Sequence, residues 1–308
     1  MRMRRRRKKK YIKNGILIMC LLLAGIRLFG NKEKSESEKK ESGKDEPEAV
    51  VAVVGTAEVI EPENVNGTES INDTKNTEDT KDLDNTEEGW GPYKTKEDMK
   101  EQEWNQLPEK LKEFYERYEE SREFIVNYRE NKGKKFEINL EEYQDCKDVP
   151  LLMQWDKRWG YEEYSGNVFG VTGCGPTCLS MAAIYLKHDV SLNPKWMMEF
   201  SIRNGYSVTG SGSAWALIGE GAEKLGMESE ELPLSESIIK NRLDHGDVII
   251  VVLGPGDFTD KGHFIVIYDY DEEGFIIRDP NSCKNTNKKW TYEKMEGQIK
   301  NLWALREG

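Results

Sequence analysis

The 308-residue chain carries 45 lysines and arginines against 57 aspartates and glutamates, a formal net charge of −12, and only 37% of its residues are hydrophobic. That balance argues against a nucleic-acid partner, because the one dense basic run sits at the N-terminus. It also means that much of the chain cannot bury enough apolar surface to fold.

Residues 2–13 are rich in arginine and lysine, and an apolar run from 15 to 29 follows, broken only by Arg27. A basic block before an apolar stretch is an anchor or an export signal. No small-x-small cleavage site is present, so an uncleaved membrane anchor over 1–30 is preferred to a secreted form. The charge bias then keeps the N-terminus in the cytoplasm and places everything after residue 30 outside the cell membrane. Residues 31–92 are low in complexity and rich in Glu, Lys, Asp, Asn and Thr, and read as a disordered linker. The stretch 49–60 is its one apolar exception, and Asn66-Gly67-Thr68 matches a glycosylation pattern.

From residue 93 the composition changes. Leu107, Leu111, Phe114, Tyr115, Tyr118, Phe124, Ile125 and Tyr128 recur at helical spacing, which predicts helices over 108–119 and 121–130 in an extension spanning 93–148. A well-patterned domain fills 149–308. Helices are expected over 177–186 and 196–202, over 214–225 with Ser213 as its cap, and from Ser235 to Leu243. Strands are expected over 248–253, 263–270 and 275–279, with a turn at 271–274. Helices first and an antiparallel sheet afterwards define an α+β fold.

The five cysteines, at 20, 146, 174, 178 and 283, form neither a disulfide framework nor a metal pattern, and no metal or cofactor is expected. Cys146 with Cys283 remains an open pairing. Cys178 lies one helical turn beyond Cys174 and reads as packing. Cys174 sits between Gly173 and Gly175-Pro176 at the start of a helix, where the partial positive charge of the helix end favours a thiolate. A thiol nucleophile also needs a base, an orienting group and oxyanion donors. Of three histidines, His188 follows a helix end and His245 lies in a turn. His263 starts an apolar strand, and Asp279 ends the strand that returns beside it, so the two fall at the same end of the sheet.

This order, with Gln154-Trp155-Asp156 upstream and Thr172-Gly173-Cys174-Gly175-Pro176, Gly262-His263-Phe264 and Asp279-Pro280-Asn281 downstream, resembles the papain-like cysteine peptidases of family 39. That family includes the bacteriocin-processing peptidases. The resemblance covers 149–308. It implies a papain-like fold with Cys174 as nucleophile, His263 as general base, Asp279 as its orienting group and Gln154 as oxyanion-hole donor. The implied reaction is hydrolysis of a peptide or protein substrate through a thioester. The chain has no P-loop and no multispan region, so the double-glycine specificity of transporter-linked relatives is not carried over. Other thiol acyl-transfer chemistry on cell-wall peptides, as an amidase or transpeptidase, remains open, as does a non-catalytic peptide-binding role. Two further features have double readings. The helices of 93–148 read as an inhibitory prosegment or as an extension packed on the catalytic domain, and the second is preferred because aromatic stripes usually form core. The loop 210–215 reads as a substrate-cleft wall or a helix-capping loop, and the capping loop is preferred.

Overall fold

A computed structural model describes residues 91–308. The expected anchor and nearly all of the expected linker, with the 49–60 stretch and the Asn66 motif, lie outside the described residues. Among the described residues no helix is long and apolar enough to cross a membrane.

The centre is a five-stranded antiparallel sheet, ordered β5 (Met227–Glu231), β9 (Ile299–Glu307), β6 (Val248–Leu253), β7 (His263–Tyr270) and β8 (Phe275–Arg278). β6 is the middle strand and all six of its residues are buried. Its run of valine, isoleucine and leucine suits a strand covered on both faces. Val248, Ile250 and Val252 pack with the helix Cys174–Lys187, while Ile249, Val251 and Leu253 pack with Ile239 and Leu243 of the helix Glu236–Asp244. This alternation is the period-two geometry of a strand.

The helix Cys174–Lys187 is buried without interruption from Gly175 to Ile184. It ends at His188, which adopts left-handed backbone (φ 52°, ψ 38°). The helix expected over 196–202 runs from Pro194 to Arg203, two residues earlier at its start, because Asn193 accepts a hydrogen bond from the Trp196 N–H at 3.0 Å and Pro194 fills the first turn.

Ahead of the sheet domain, short helices at Glu101–Asn105, Glu109–Arg117, Arg122–Val126 and Tyr128–Asn131 form a third apolar cluster. Its members Trp104, Leu111, Phe114, Phe124 and Ile125 pack together with Tyr161 and Val168. Tyr161 stacks on Phe124 at 4.4 Å between ring centroids. The helix expected over 121–130 is thus two short helices, divided at Asn127. Asn127 donates to the Tyr93 carbonyl and accepts from the Tyr93 N–H, and so turns its side chain to a neighbouring segment.

The sequence reading is also corrected at 214–225. Ser213 caps no helix; it lies in the two-residue strand β4 (Gly212–Ser213), paired with β3 (Ser207–Val208), and its hydroxyl bonds the Tyr164 hydroxyl at 2.7 Å. A short 3-10 turn at Trp215–Leu217 and a separate helix at Glu220–Lys224 replace the continuous helix. The break falls at Gly219, whose backbone (φ −77°, ψ −91°) is not helical. β5 and β9 were not anticipated. β5 reads Met-Glu-Ser-Glu-Glu and buries only Met227, so its strand character comes from pairing with β9 at the sheet edge.

Candidate active site

The helix Cys174–Lys187 starts at Cys174 itself, with Gly173 as its N-cap. A Cβ on Gly173 would lie 2.6 Å from the Phe169 ring and carbonyl, and one on Gly175 would lie 2.7 Å from Ser213 Oγ. Glycine on both sides therefore lets neighbouring walls close around the cysteine. The Cys174 N–H belongs to the first turn, whose N–H groups have no acceptor within the helix.

His263 is the first residue of β7, opposite Leu253 of β6, and is 6% exposed. Asp279 follows the last residue of β8 and is 1% exposed. The hairpin brings His263 Nε2 to 2.7 Å from Asp279 Oδ1. Cys174 lies near enough to the imidazole to act on its charge state. Burial works against a charged His263, but the Asp279 carboxylate, by charge and hydrogen bond, and Cys174 outweigh it and raise the imidazole from 6.5 to about 10. His263 is therefore held as an imidazolium at neutral pH.

Asp279 is itself fixed at every polar atom it can use. Oδ1 also accepts from the Asn281 N–H at 2.9 Å, Oδ2 accepts from Asn285 Nδ2 at 2.9 Å, and its own N–H donates to Thr286 Oγ1 at 2.9 Å. Asn285 and Thr286 belong to the short helix Cys283–Thr286, which Ser282 caps by accepting from the Asn285 N–H. These two residues were missed in the sequence. The signal was there in Ser282, a cap residue three positions ahead of Asn285.

Gln154 is 1% exposed and its backbone N–H donates to the Pro280 carbonyl at 2.8 Å, beside Asp279. Its Nε2 donates to the Gly170 carbonyl at 2.9 Å, and its Oε1 is buried with no partner. The reversed amide would oppose two oxygens, so this orientation is set. It leaves the second Nε2 hydrogen as the one available to a ligand in the cleft.

Cys174, His263 and Gln154 all line one cleft of about 820 Å³. Its walls are the loop Gly210–Ser213 with Trp215, the loop from Thr259 to Gly262, and Phe114, Arg117 and Tyr118 from the helical extension. The loop at 210–215 is thus a cleft wall, contrary to the capping reading. Tyr118 lines the same cleft as Cys174 and His263, and burial pushes its phenol up against the opposing charge of Arg117.

The remaining candidates lie elsewhere. Cys178 is fully buried and its thiol is pushed well up by burial. Cys146 and Cys283 are both free thiols, so the open pairing is not made. His188 and His245 are exposed, with His245 Nδ1 against the Asn241 carbonyl. Among the described residues no group of three or more His, Cys, Asp or Glu is placed to hold a metal ion.

Comparison with known proteins follows the same lines. The chain is similar to the peptidase domain of Streptococcus ComA, a bi-functional ABC transporter involved in a quorum-sensing pathway, at 21% identity and a TM-score of 0.34, over 44% of this chain and 93% of that one. It is similar to a Bacillus anthracis protein assigned as a C39-like peptidase, at 16% identity and a TM-score of 0.37, over 52% of this chain and 95% of that one. No curated protein matches. The profile of the Peptidase C39 like family matches residues 146–307, more than half of the chain, and this protein belongs to that family.

Proposed function

We propose that this chain is a thiol peptidase, held at the outer face of a bacterial cell membrane by residues 1–30. The observation that carries the reading is the buried His263–Asp279 pair, set against a cysteine at a helix N-terminus on the floor of a cleft. The membrane placement rests on the basic and apolar segments of 1–30 alone.

In this reading His263 holds the proton of Cys174, and the thiolate attacks the scissile carbonyl carbon. The Cys174 N–H and the free Nε2 hydrogen of Gln154 hold the oxyanion. The imidazolium then gives its proton to the leaving amine, and a thioester remains on Cys174. Neutral His263 next takes a proton from water, the resulting hydroxide attacks the thioester, and the carboxylic product leaves as Cys174 regains its starting state. Asp279 holds Nε2, which leaves Nδ1 as the nitrogen that carries the proton in both steps.

Peptide-library profiling of the full chain tests this reading. Hydrolysis is expected with the wild type and none with Cys174→Ala. Gln154→Ala is expected to lower kcat by about 10²–10³-fold. Equal product from wild type and Cys174→Ala would refute the assignment.

A further inference from the structure

The helical extension ahead of the family domain lines one wall of the cleft with Phe114, Arg117 and Tyr118, and at Glu120 it also grips the site from behind. The family match begins at residue 146, whereas Glu120 lies in the 3-10 turn Glu119–Ser121 of the extension. Its carboxylate accepts from the Cys283 N–H at 2.5 Å, from the Lys284 N–H at 2.8 Å and from Ser282 Oγ at 3.3 Å. These are the donors at the start of the Cys283–Thr286 helix. The same helix supplies Asn285 Nδ2 and Thr286 Oγ1 to Asp279, and Asp279 holds His263. The short helix, hydrogen-bonded to Glu120 on one side and to Asp279 on the other, therefore links Glu120 to the imidazole across more than 160 residues of sequence.

Two other contacts come from the same extension. Arg117 forms an ion pair with Asp260, in the loop that leads into His263. Asp260 is 76% exposed, so this pair contributes little by itself. Phe124 lies against Gly170, where a Cβ would sit 2.5 Å from its ring, and Gly170 carries the carbonyl that orients Gln154. The extension thus touches the loop before His263, the helix after Asp279 and the residue behind Gln154.

We infer that Glu120 is a positioning residue of the site and that the extension around it is a working part of the catalytic unit, not an inhibitory prosegment. A prosegment acts by occupying the cleft over the nucleophile, and its weakening releases activity. Glu120 instead holds the far side of the Asp279 loop, so its loss frees that loop and lets the His263–Asp279 geometry drift. A misplacement on the order of 1 Å is enough to cost about a hundredfold in rate. The inference rests on the peptidase reading for its catalytic consequence, but not for its geometric one.

The test uses full-length wild type, Glu120→Ala and Glu120→Gln. The first readout is the rate of iodoacetamide alkylation at Cys174 against pH, resolved by peptide mass spectrometry. The second is kcat and KM on a peptide taken from the library profile. Glu120→Ala is expected to move the alkylation midpoint upward by about 0.5–1 pH unit and to lower kcat about ten- to a hundredfold with KM nearly unchanged. Glu120→Gln keeps the shape and one acceptor and is expected to shift less in the same direction; it decides the matter if Glu120→Ala does not fold. Superimposable alkylation profiles, or a rise in kcat on substitution, would overturn the inference. If no peptide is cleaved by the wild type but the profiles still separate, the positioning role stands and the peptidase reading falls.

Discussion

Asp279→Asn is the sharpest test of how the site is tuned. The substitution keeps size and shape, so a carbonyl oxygen can still accept from His263 and from the Asn281 N–H. It removes the negative charge, and it turns an amide toward Asn285 Nδ2, which must flip its own amide to avoid two facing donors. The fold should lose about 1 kcal/mol for that local mismatch. The electrostatic effect is larger. His263 is raised from 6.5 to about 10 even though burial pulls it down, and Asp279 is the first cause opposing burial. That gap is worth about 5 kcal/mol in favour of the imidazolium, at about 1.4 kcal/mol per pH unit. Without the carboxylate charge the largest cause opposing burial is gone, so the imidazole pKa should fall. Alkylation of Cys174 by iodoacetamide, resolved by peptide mass spectrometry, reads the result. Cys174 in Asp279→Asn is expected to be alkylated more slowly than in the wild type at neutral pH, because the neighbouring imidazolium that favours the thiolate is weakened. Peptide hydrolysis should fall by about 10²–10⁴-fold, the range of general acid–base assistance. Identical alkylation profiles for the two proteins would show that Asp279 does not set the charge of His263.

Two further predictions use the same geometry. Because the folded state raises the His263 pKa, it binds a proton that the unfolded chain releases near 6.5; this contribution to stability is complete below about pH 6.5 and is lost as pH rises towards about 10. Thermal unfolding of the wild type should therefore show a Tm that declines across this window, and the decline should be smaller in Asp279→Asn. Gly170→Ala would place a methyl 2.5 Å from the Phe124 ring, which is fully buried and stacked on Tyr161. The overpacking should cost about 1–3 kcal/mol and lower Tm by several degrees in a calorimetric scan. An unchanged Tm would show that the extension is not seated on Gly170 as described.

Much of the site was legible in the sequence because its signals are local. Cys174 at a helix start follows from the flanking glycines and Pro176, and the helix does begin at Cys174. The uninterrupted apolar run of β6 and the apolar run Phe264 to Tyr268 within β7 mark these strands in the sequence, and both end where expected. The position of Asp279 beside His263 follows from a hairpin between consecutive strands. The α+β order of helices before sheet is likewise written in the sequence of element types, while its papain-like character came from the family resemblance. Errors fell where a segment takes its conformation from its neighbours. β5 has a single buried residue in five and no apolar alternation, so only its pairing with β9 makes it a strand. The 214–225 segment has helical spacing, yet Gly219 breaks it and Ser213 is drawn to Tyr164.

The sequence by itself determined which residues could carry the chemistry, because residue type, local turn chemistry and strand period act within a few positions of one another. Only the tertiary structure decided what holds them in place. Glu120 meets Cys283 and Lys284, Phe124 meets Gly170, and Gln154 meets Pro280, each through packing of segments far apart in the chain. No periodicity encodes such contacts. They arise because the aromatic face of the extension, polar everywhere else, finds its burial against Tyr161 and Val168 of the sheet domain.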